Sequence, residues 1–343
     1  MKKIHWICFC AGLLLCAAAA GCGIASPKDQ EGRREFYAMD TYMTIRADGV
    51  GADKAAEEAE RRIREIEKEF SVTDRSSAVA RLNRDGAMKL DGKIKEVLSF
   101  SLSMAEETGG ALDPAIYPLV RAWGWTTEQR RVPSDEEIRD LLLLTDWRQI
   151  RIDGNEARLA PGMAVDLGAV VKGYAGREAG LLLRERGVRS AILSLGGNIE
   201  AVGSRPDGSP WRVGLRNSNG EDHIGILQVR DAAVVTSGSY ERTFTDEKGR
   251  RWHHILDPAT GKSAESGLLS VTVIGKDGMY CDALSTALFV MGADRAADFW
   301  RSHHDFDMIL LTEDGRILIT DGAAPLFTVN EAHRAMPKEV LYP

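Results

Sequence analysis

Cysteine is scarce in this chain and is concentrated at its start. Five cysteines occur in 343 residues, and only Cys281 lies beyond position 22. If the N-terminal segment is cleaved and Cys22 carries a lipid, as the sequence predicts below, Cys281 is the one thiol left. An internal disulfide is then excluded, and an exported domain of this length must be stabilised by its apolar core.

A basic excess is also missing. The 51 aspartates and glutamates outnumber the 44 lysines and arginines, so the formal charge is −7. Loss of Lys2 and Lys3 on processing would take it to −9, that is −7 − 2. An acidic balance argues against nucleic acid as a partner and against membrane binding through a basic surface.

Long apolar runs are absent except at the N-terminus. Lys2 and Lys3 precede an apolar stretch at residues 4–20, which closes on the small residues before Cys22. A run of this length can span a bilayer, but the basic start and the small-residue ending are typical of a signal peptide. A plain signal peptide and an uncleaved anchor are the alternatives.

The ending Ala19-Ala20-Gly21-Cys22 resembles a bacterial lipobox. We therefore expect residues 1–21 to be a lipoprotein signal peptide and Cys22 to be acylated, for example with palmitate. The protein would then be exported and anchored at the periplasmic or extracellular face of a bacterial membrane.

Beyond residues 22–34, a polar stretch that is typical of a tether, amphipathic helices alternate with short β-rich segments and no repeat or low-complexity tract occurs. This pattern predicts one compact α+β domain over residues 35–343. Ser134 with Glu137 forms a capping box. The helices that periodicity predicts are residues 53–70, 169–186 and 282–291, and the strands are residues 190–195, 232–235, 268–274, 308–311 and 316–320.

The segment around Asp166, Gly168 and Lys172 places an acid, a glycine turn and a lysine where a strand is expected to pass into a helix. Free backbone amides and the positive end of a helix dipole at such a turn suit a phosphate or pyrophosphate. An ordinary turn with a surface aspartate and lysine fits the composition equally well.

Two more segments combine glycine with polar residues after apolar strands. Gly196-Gly197-Asn198 would let a flat or charged ligand approach the backbone closely. Thr236-Ser237-Gly238 offers hydroxyls next to a glycine, and is typical of a tight turn as much as of a binding loop.

Histidine and carboxylate supply the remaining candidates. His253 and His254 precede an Asp-Pro turn, and strand alternation directs at most one of them into a site. Asp282 and Thr286 are four residues apart, so a helix places both oxygens on one face, where they suit Mg²⁺ holding a diphosphate. The alternative is a capping aspartate with a threonine facing the core.

The order of these motifs resembles the FAD:protein FMN transferase family, often called ApbE-like, over essentially the whole mature chain. The matching stretches are Met39-Asp40-Thr41, Phe70-Ser71 with Ser77, Arg81-Leu82-Asn83, Thr108 to Pro114, Pro118-Leu119-Val120 with Trp123-Gly124, Asp166 to Ala169 with Lys172-Gly173, Leu195 to Asn198, Ser237-Gly238 with Tyr240-Glu241-Arg242, His254 to Pro258 with Thr260-Gly261, and Asp282-Ala283 with Thr286.

The resemblance implies an α+β fold of the T-fold type, with FAD in a cleft between two lobes. The expected FAD contacts are Met39, Ala111, Leu112, Asp113, Asp166, Lys172 and Ile255, to which the glycine-rich segments add Gly196, Gly197 and Ser237. The expected magnesium ligands are the carbonyl of Ala169 and the side chains of Asp282 and Thr286, with Ser285 as an additional one.

The activity that the resemblance implies is Mg²⁺-dependent transfer of FMN from FAD to a threonine or serine hydroxyl of an acceptor protein, with release of AMP. His254, aided by Asp282, would receive the hydroxyl proton. The acceptors would be exported or membrane-bound electron-transfer flavoproteins, such as subunits of an NADH:quinone oxidoreductase.

Two rival functions remain. One is an Mg²⁺-dependent FAD pyrophosphatase, which would use the same cleft with water as the nucleophile. The other is a non-catalytic flavin-binding lipoprotein, which would need the glycine-rich segments but not Asp282 and Thr286. The sequence also departs from many relatives, because Val72, Thr73 and Asp74 stand where those relatives place an aromatic residue against the flavin ring. Stacking on the ring must then come from another part of the chain.

Overall fold

The first strand begins earlier than the sequence analysis expected. The computed structural model describes residues 31–127, 129–218 and 222–343, so the expected signal peptide, Cys22 and most of the tether lie outside it. Strand β1 (Glu31–Ala38) pairs along its full length with β2 (Thr41–Asp48), from Glu31 opposite Asp48 to Ala38 opposite Thr41. The tether boundary at residue 34 was therefore wrong, because backbone pairing with β2 draws residues 31–34 into the sheet.

The described residues form an α+β domain, as expected. The helices are α1 (Ala52–Phe70), α2 (Ala78–Asp85), α3 (Gly92–Glu107), α4 (Tyr117–Ala122), α5 (Asp135–Leu142), α6 (Gly168–Glu185), α7 (Gly278–Met291) and α8 (Ala293–His303). The strands after β2 are β3 (Ala87–Lys89), β4 (Arg151–Asp153), β5 (Glu156–Arg158), β6 (Ser190–Leu195), β7 (Asn198–Gly203), β8 (Trp211–Arg216), β9 (His223–Val229), β10 (Ala232–Gly238), β11 (Thr243–Thr245), β12 (Arg251–His253), β13 (Leu268–Gly275), β14 (Asp307–Thr312), β15 (Ile317–Thr320), β16 (Phe327–Val329) and β17 (Lys338–Leu341).

One large sheet organises the molecule. Nine strands lie in the order β1-β2-β6-β7-β10-β13-β14-β15-β17, antiparallel throughout except for the parallel pair β15 and β17. Alternate residues of β10 show why both faces are apolar. Ala233 and Val235 join the core beneath α1, α6 and α7, whereas Val234 joins a second core beneath the small sheet β16-β9-β8. Helices therefore cover one face of the large sheet and a second sheet covers the other.

Helices α6 and α7 approach each other so closely at Gly173 that a side chain there would clash. A Cβ atom at Gly173 would lie 2.0 Å from the carbonyl oxygen of Gly278 and 2.7 Å from Cβ of Asp282. Glycine is required here because the two backbones approach each other directly. This contact brings Asp282 of α7 against the first turns of α6.

A third apolar cluster lies beside the loops. Trp123 is fully buried, packs against Trp252 at a ring distance of 4.9 Å and donates its indole N–H to the carbonyl of Gly261 at 2.8 Å. The other members of this cluster are Leu119, Trp125, Ile138 and Leu256. It anchors the segments around residues 119–125 and 252–261 to each other.

Most elements that periodicity predicts are confirmed within a residue or two. Ser134 caps α5 by accepting from the backbone N–H of Glu137 at 3.1 Å. Helix α7 differs, since it begins at Gly278, where Asp277 accepts from the amides of Met279 and Tyr280. Within the described residues, no helix combines the length and apolar character needed to cross a membrane.

Substitution of Gly173 by alanine tests the α6–α7 contact. The added methyl group must push Gly278 and Asp282 away, so we expect Gly173→Ala to lower the free energy of unfolding by about 1–3 kcal/mol or more. Gly92→Ala is the matched control, because a Cβ at Gly92 meets no atom within 4 Å, and its effect should stay within about 0.5 kcal/mol. Urea unfolding measures both, and equal stability of the two variants would contradict the contact.

Candidate active site

One cleft gathers nearly all the residues that the sequence analysis selected. Its volume is about 490 Å³, and it lies where the β1–β2 turn and the β6–β7 turn face the start of α6 and the middle of α7. The selected residues that line it are Met39, Ala111, Leu112, Asp113, Asp166, Ala169, Lys172, Gly196, Ser237, His254, Ile255, Asp282 and Thr286. Gly197 and Ser285 do not line it.

The start of α6 forms one wall of the cleft. Asp166 Oδ1 accepts from the amide of Gly168 at 2.8 Å, which closes the turn into the helix. Asn83 holds the preceding residue, accepting from the Val165 amide at 2.6 Å and donating to its carbonyl at 2.8 Å. Desolvation raises the pKa of the Asp166 carboxyl, and the charges of Arg242 and Lys172 oppose that rise. Asp166 is therefore part of the cleft and not the surface residue of the alternative interpretation.

An ion pair between a buried carboxylate and a half-buried lysine lies next to this wall. Asp282 is almost fully buried, its Oδ2 accepts from the amide of Gly173 at 2.8 Å, and its Oδ1 lies 3.7 Å from Nζ of Lys172. Burial raises the pKa of the Asp282 carboxyl, and the charge of Lys172 opposes the shift. The capping role considered for Asp282 belongs to Asp277 instead.

Three hydroxyls lie beside Asp282. Ser237 Oγ is 2.8 Å from Ser285 Oγ and 3.4 Å from Thr286 Oγ1. Ser285 donates its hydroxyl proton to the carbonyl of Asp282 at 2.9 Å and is fully buried. Thr286 consequently faces the cleft, while Ser285 supports Ser237 from behind.

These oxygens are the donors that a magnesium ion prefers. The carbonyl of Ala169, the carboxylate of Asp282 and the hydroxyl of Thr286 belong to the lining of the same cleft, and all are hard oxygen ligands. Within the described part of the chain, no cluster of three or more His, Cys, Asp or Glu residues could hold a metal ion. As hard oxygen donors, the carbonyl, the carboxylate and the hydroxyl suit Mg²⁺ by their chemistry.

The two histidines have different surroundings, as expected, but they do not alternate along one strand, because β12 ends at His253. The carbonyl of Glu241 lies 3.2 Å from Nδ1 of His254, and because a carbonyl can only accept, Nδ1 donates and Nε2 is left as an acceptor. Burial lowers the pKa of His254 to about 3, with contributions from the charges of Arg242 and Lys172. His253 instead places Nε2 3.1 Å from the carbonyl of Ala264 and is not part of the lining.

Backbone geometry shapes the remaining walls. Gly196 has φ +60°, and a Cβ there would lie 2.2 Å from Oγ1 of Thr41, so glycine is required at this turn. Asp113 accepts from the amides of Ala115 at 2.7 Å and Trp147 at 3.2 Å, and burial raises the pKa of its carboxyl. The structure also extends β10 through Gly238, so Thr236 and Ser237 lie on a strand and not in the turn considered from sequence.

Sequence reasoning gave no role to several cleft residues. Trp125 and Phe70 contribute aromatic rings to the lining, and Glu67, Asp40 and Arg242 contribute charges. Four of these five lie within one of the family motifs or directly after one. The motifs could therefore have indicated a role for these four residues. Their roles were missed because each acts on a residue far away in the sequence.

Comparison with known proteins places this arrangement in a family. The family model described as the ApbE family matches residues 39–310. An FAD:protein FMN transferase from Treponema pallidum is 29% identical over 350 residues, which cover 94% of this chain and 96% of that protein.

Solved structures show the same fold. The crystal structure of the ApbE protein from Thermotoga maritima matches with a TM-score of 0.81 and 32% identity, covering 87% of this chain and 99% of that one. The flavin transferase ApbE from Vibrio cholerae matches with a TM-score of 0.78 and 26% identity, over 87% of this chain and 99% of that one. Since the family model matches most of the chain and these proteins align along nearly their whole length, the chain belongs to the ApbE family.

Proposed function

We infer that this protein is an FAD:protein FMN transferase. One observation carries the inference: a single cleft combines a buried carboxylate–lysine pair, the N-terminus of a helix and a histidine with a free Nε2. These groups suit, in turn, a divalent cation, a pyrophosphate and a proton acceptor. The names of the relatives agree with that chemistry.

We place FAD in this cleft, between the α6 wall and the loops around His254. Its volume of about 490 Å³ lies within the range of small-molecule sites. Lys172 and the first amides of α6 suit the pyrophosphate, whereas Leu112 and Ile255 offer apolar contact. Since Val72, Thr73 and Asp74 carry no ring, Trp125 and Phe70 are the aromatic surfaces that remain for the flavin among the described lining residues.

The transfer breaks the phosphoanhydride of FAD and forms a phosphoester with the acceptor. The acceptor hydroxyl oxygen attacks the FMN-side phosphorus of FAD, and a new P–O bond forms. The bond from that phosphorus to the bridging oxygen breaks, and the oxygen leaves with its electron pair on AMP. His254 Nε2 receives the hydroxyl proton, Asp282 holds Lys172 beside the site, and Lys172 neutralises phosphate charge. Mg²⁺ bound by Ala169, Asp282 and Thr286 would neutralise further charge on the pyrophosphate.

The low pKa of His254 affects this role in two opposite ways. A pKa of about 3 leaves the imidazole unprotonated at neutral pH, but so weak a base is a poor proton acceptor. Desolvation by burial is the largest cause, and the charges of Arg242 and Lys172 add to it. A bound pyrophosphate opposes the effect of the two cations, so substrate binding should raise the pKa of His254 from this low value.

Incubation with FAD, Mg²⁺ and a serine- or threonine-bearing acceptor flavoprotein tests the function. We expect the acceptor to gain the mass of FMN less one water, together with in-gel flavin fluorescence, and one AMP to be released per FMN attached. Asp282→Asn keeps the shape of the side chain but removes its charge, so it should abolish transfer at any Mg²⁺ concentration. Thr286→Val loses a neutral ligand that water can replace, so added Mg²⁺ should restore its rate.

Different products would identify the rival functions. AMP and free FMN without labelled acceptor would indicate a pyrophosphatase, and intact FAD would indicate a flavin-binding protein. Full transfer by Asp282→Asn would refute the metal site.

His254 and His253 can be compared with matched substitutions. His254→Asn keeps a donor near the Nδ1 position for the carbonyl of Glu241 but removes the basic Nε2, so transfer should fall by about 10²-fold or more. His253→Gln keeps a donor near the Nε2 position for the carbonyl of Ala264 and should change the rate only slightly. Rates are measured by flavin fluorescence of the acceptor, and similar losses in both variants would count against His254 as the proton acceptor.

We also propose that a lipid on Cys22 holds the enzyme at the membrane, beside exported or membrane-bound electron-transfer acceptors. Cys22 follows the lipobox-like residues of the sequence, and it lies outside the described part of the structure. Cys22→Ser should abolish incorporation of labelled palmitate and shift the protein from the membrane fraction or leave its signal uncleaved. Undiminished labelling of Cys22→Ser would rule out this anchor.

A further inference from the structure

Arg242 spans the mouth of the cleft from a position that the proposed mechanism does not use. It lies between β10 and β11, and its Nη2 is 3.5 Å from both the carbonyl oxygen and Oδ2 of Asp40, at the tip of the β1–β2 turn. Both residues also line the cleft. The guanidinium thus joins two segments that are 202 positions apart in the chain.

The backbone is strained on both sides of this contact. Arg242 has φ +42°, and Met39 and Asp40 have φ +48° and +57°. Residues other than glycine adopt this left-handed region at a cost, and such strain is concentrated at functional sites. A two-residue hairpin turn of this geometry ordinarily contains Asn-Gly rather than Met-Asp.

The contact itself is too weak to explain the strain. The Arg242 side chain is 41% exposed, the Asp40 side chain is 86% exposed, and their closest charged atoms are 3.5 Å apart. Exposed pairs of this kind contribute about 0–1 kcal/mol. The guanidinium can therefore leave Asp40 at little cost when a stronger anion enters the cleft.

Arg242 already acts on the chemical groups of the site. Its charge influences the ionisation of Asp166 and of His254, in both cases ahead of Lys172 among the neighbouring charges. The carbonyl of Glu241, the residue directly before it, accepts from Nδ1 of His254. Arg242, whose backbone is left-handed, therefore connects two parts of the site. One is the peptide whose carbonyl orients His254, and the other is the guanidinium at the edge of the cleft.

We propose that Arg242 is a catalytic residue of the transfer, which leaves Asp40 and binds the phosphate of the departing AMP. This inference rests on the proposed function. As the acceptor oxygen bonds to the FMN-side phosphorus, the bridging oxygen departs with its electron pair, and negative charge accumulates on the AMP phosphate. The guanidinium carries a permanent charge and donates two parallel N–H bonds to phosphate oxygens, which a lysine cannot do.

Arg242→Gly is the informative variant, because glycine accepts φ +42° without strain and should preserve the fold. We expect its kcat for transfer to fall by about 10²-fold or more, while FAD affinity, measured by quenching of flavin fluorescence, changes far less. Millimolar guanidinium chloride, far below denaturing concentrations, should restore part of the rate. Arg242→Lys should be intermediate, and Arg334→Gly, which removes an exposed arginine outside the cleft lining, should show neither loss nor rescue.

Other results would overturn the role of Arg242. A kcat near that of the unaltered protein, or a loss that guanidinium does not restore although the thermal unfolding midpoint is unchanged, would remove the guanidinium from the chemistry. A change confined to KM for the acceptor would place it in acceptor binding instead. Failure of the unaltered protein to label an acceptor would separately refute the proposed function. The variants would then be compared by their rates of AMP release from FAD.

Discussion

The buried carboxylate of Asp282 is the constraint on which the rest of the site depends. A buried charge is tolerated only when it is paired and hydrogen-bonded, and here the amide of Gly173 and the ammonium of Lys172 meet that need. Both partners belong to α6, so α6 and α7 must approach closely at that level. The Gly173–Gly278 contact allows that approach, and the helix packing beneath the large sheet follows from it.

Positive charge is concentrated around the cleft. Lys172 and Arg242 place positive charge near Asp166 and His254, and the N-terminus of α6 adds the positive end of its dipole. The two cations lie 3.5–3.7 Å from acidic side chains, so these ion pairs are not tight. A cleft of this kind is suited to a substrate that brings several negative charges with it.

Distant segments of the chain supply this cleft, and the apolar clusters hold them together. Trp123 and Trp252 fasten the loop that contains His254 to the loop that contains Trp125, while the two faces of β10 join the helical layer to the second sheet. Cys281 is buried and unpaired, so within the described residues no disulfide positions the catalytic groups. Small shifts in that packing therefore change the geometry of the site directly.

The sequence by itself determined the features that depend on near neighbours. Apolar periodicity located α1, α6 and β6, the serine and glutamate pattern located the start of α5, and the ordered motifs identified the family and most of the cleft. The elements follow from contacts within one turn of helix or one alternation of strand, and the motifs are read directly from the order of residues. The sequence alone is therefore enough to predict them. Only the tertiary structure decided that β1 reaches back to Glu31, that Ser285 turns behind Ser237, and that Arg242 meets Asp40. Each of those outcomes depends on strand register or on side chains that are far apart in the chain, and the local pattern carries no information about either.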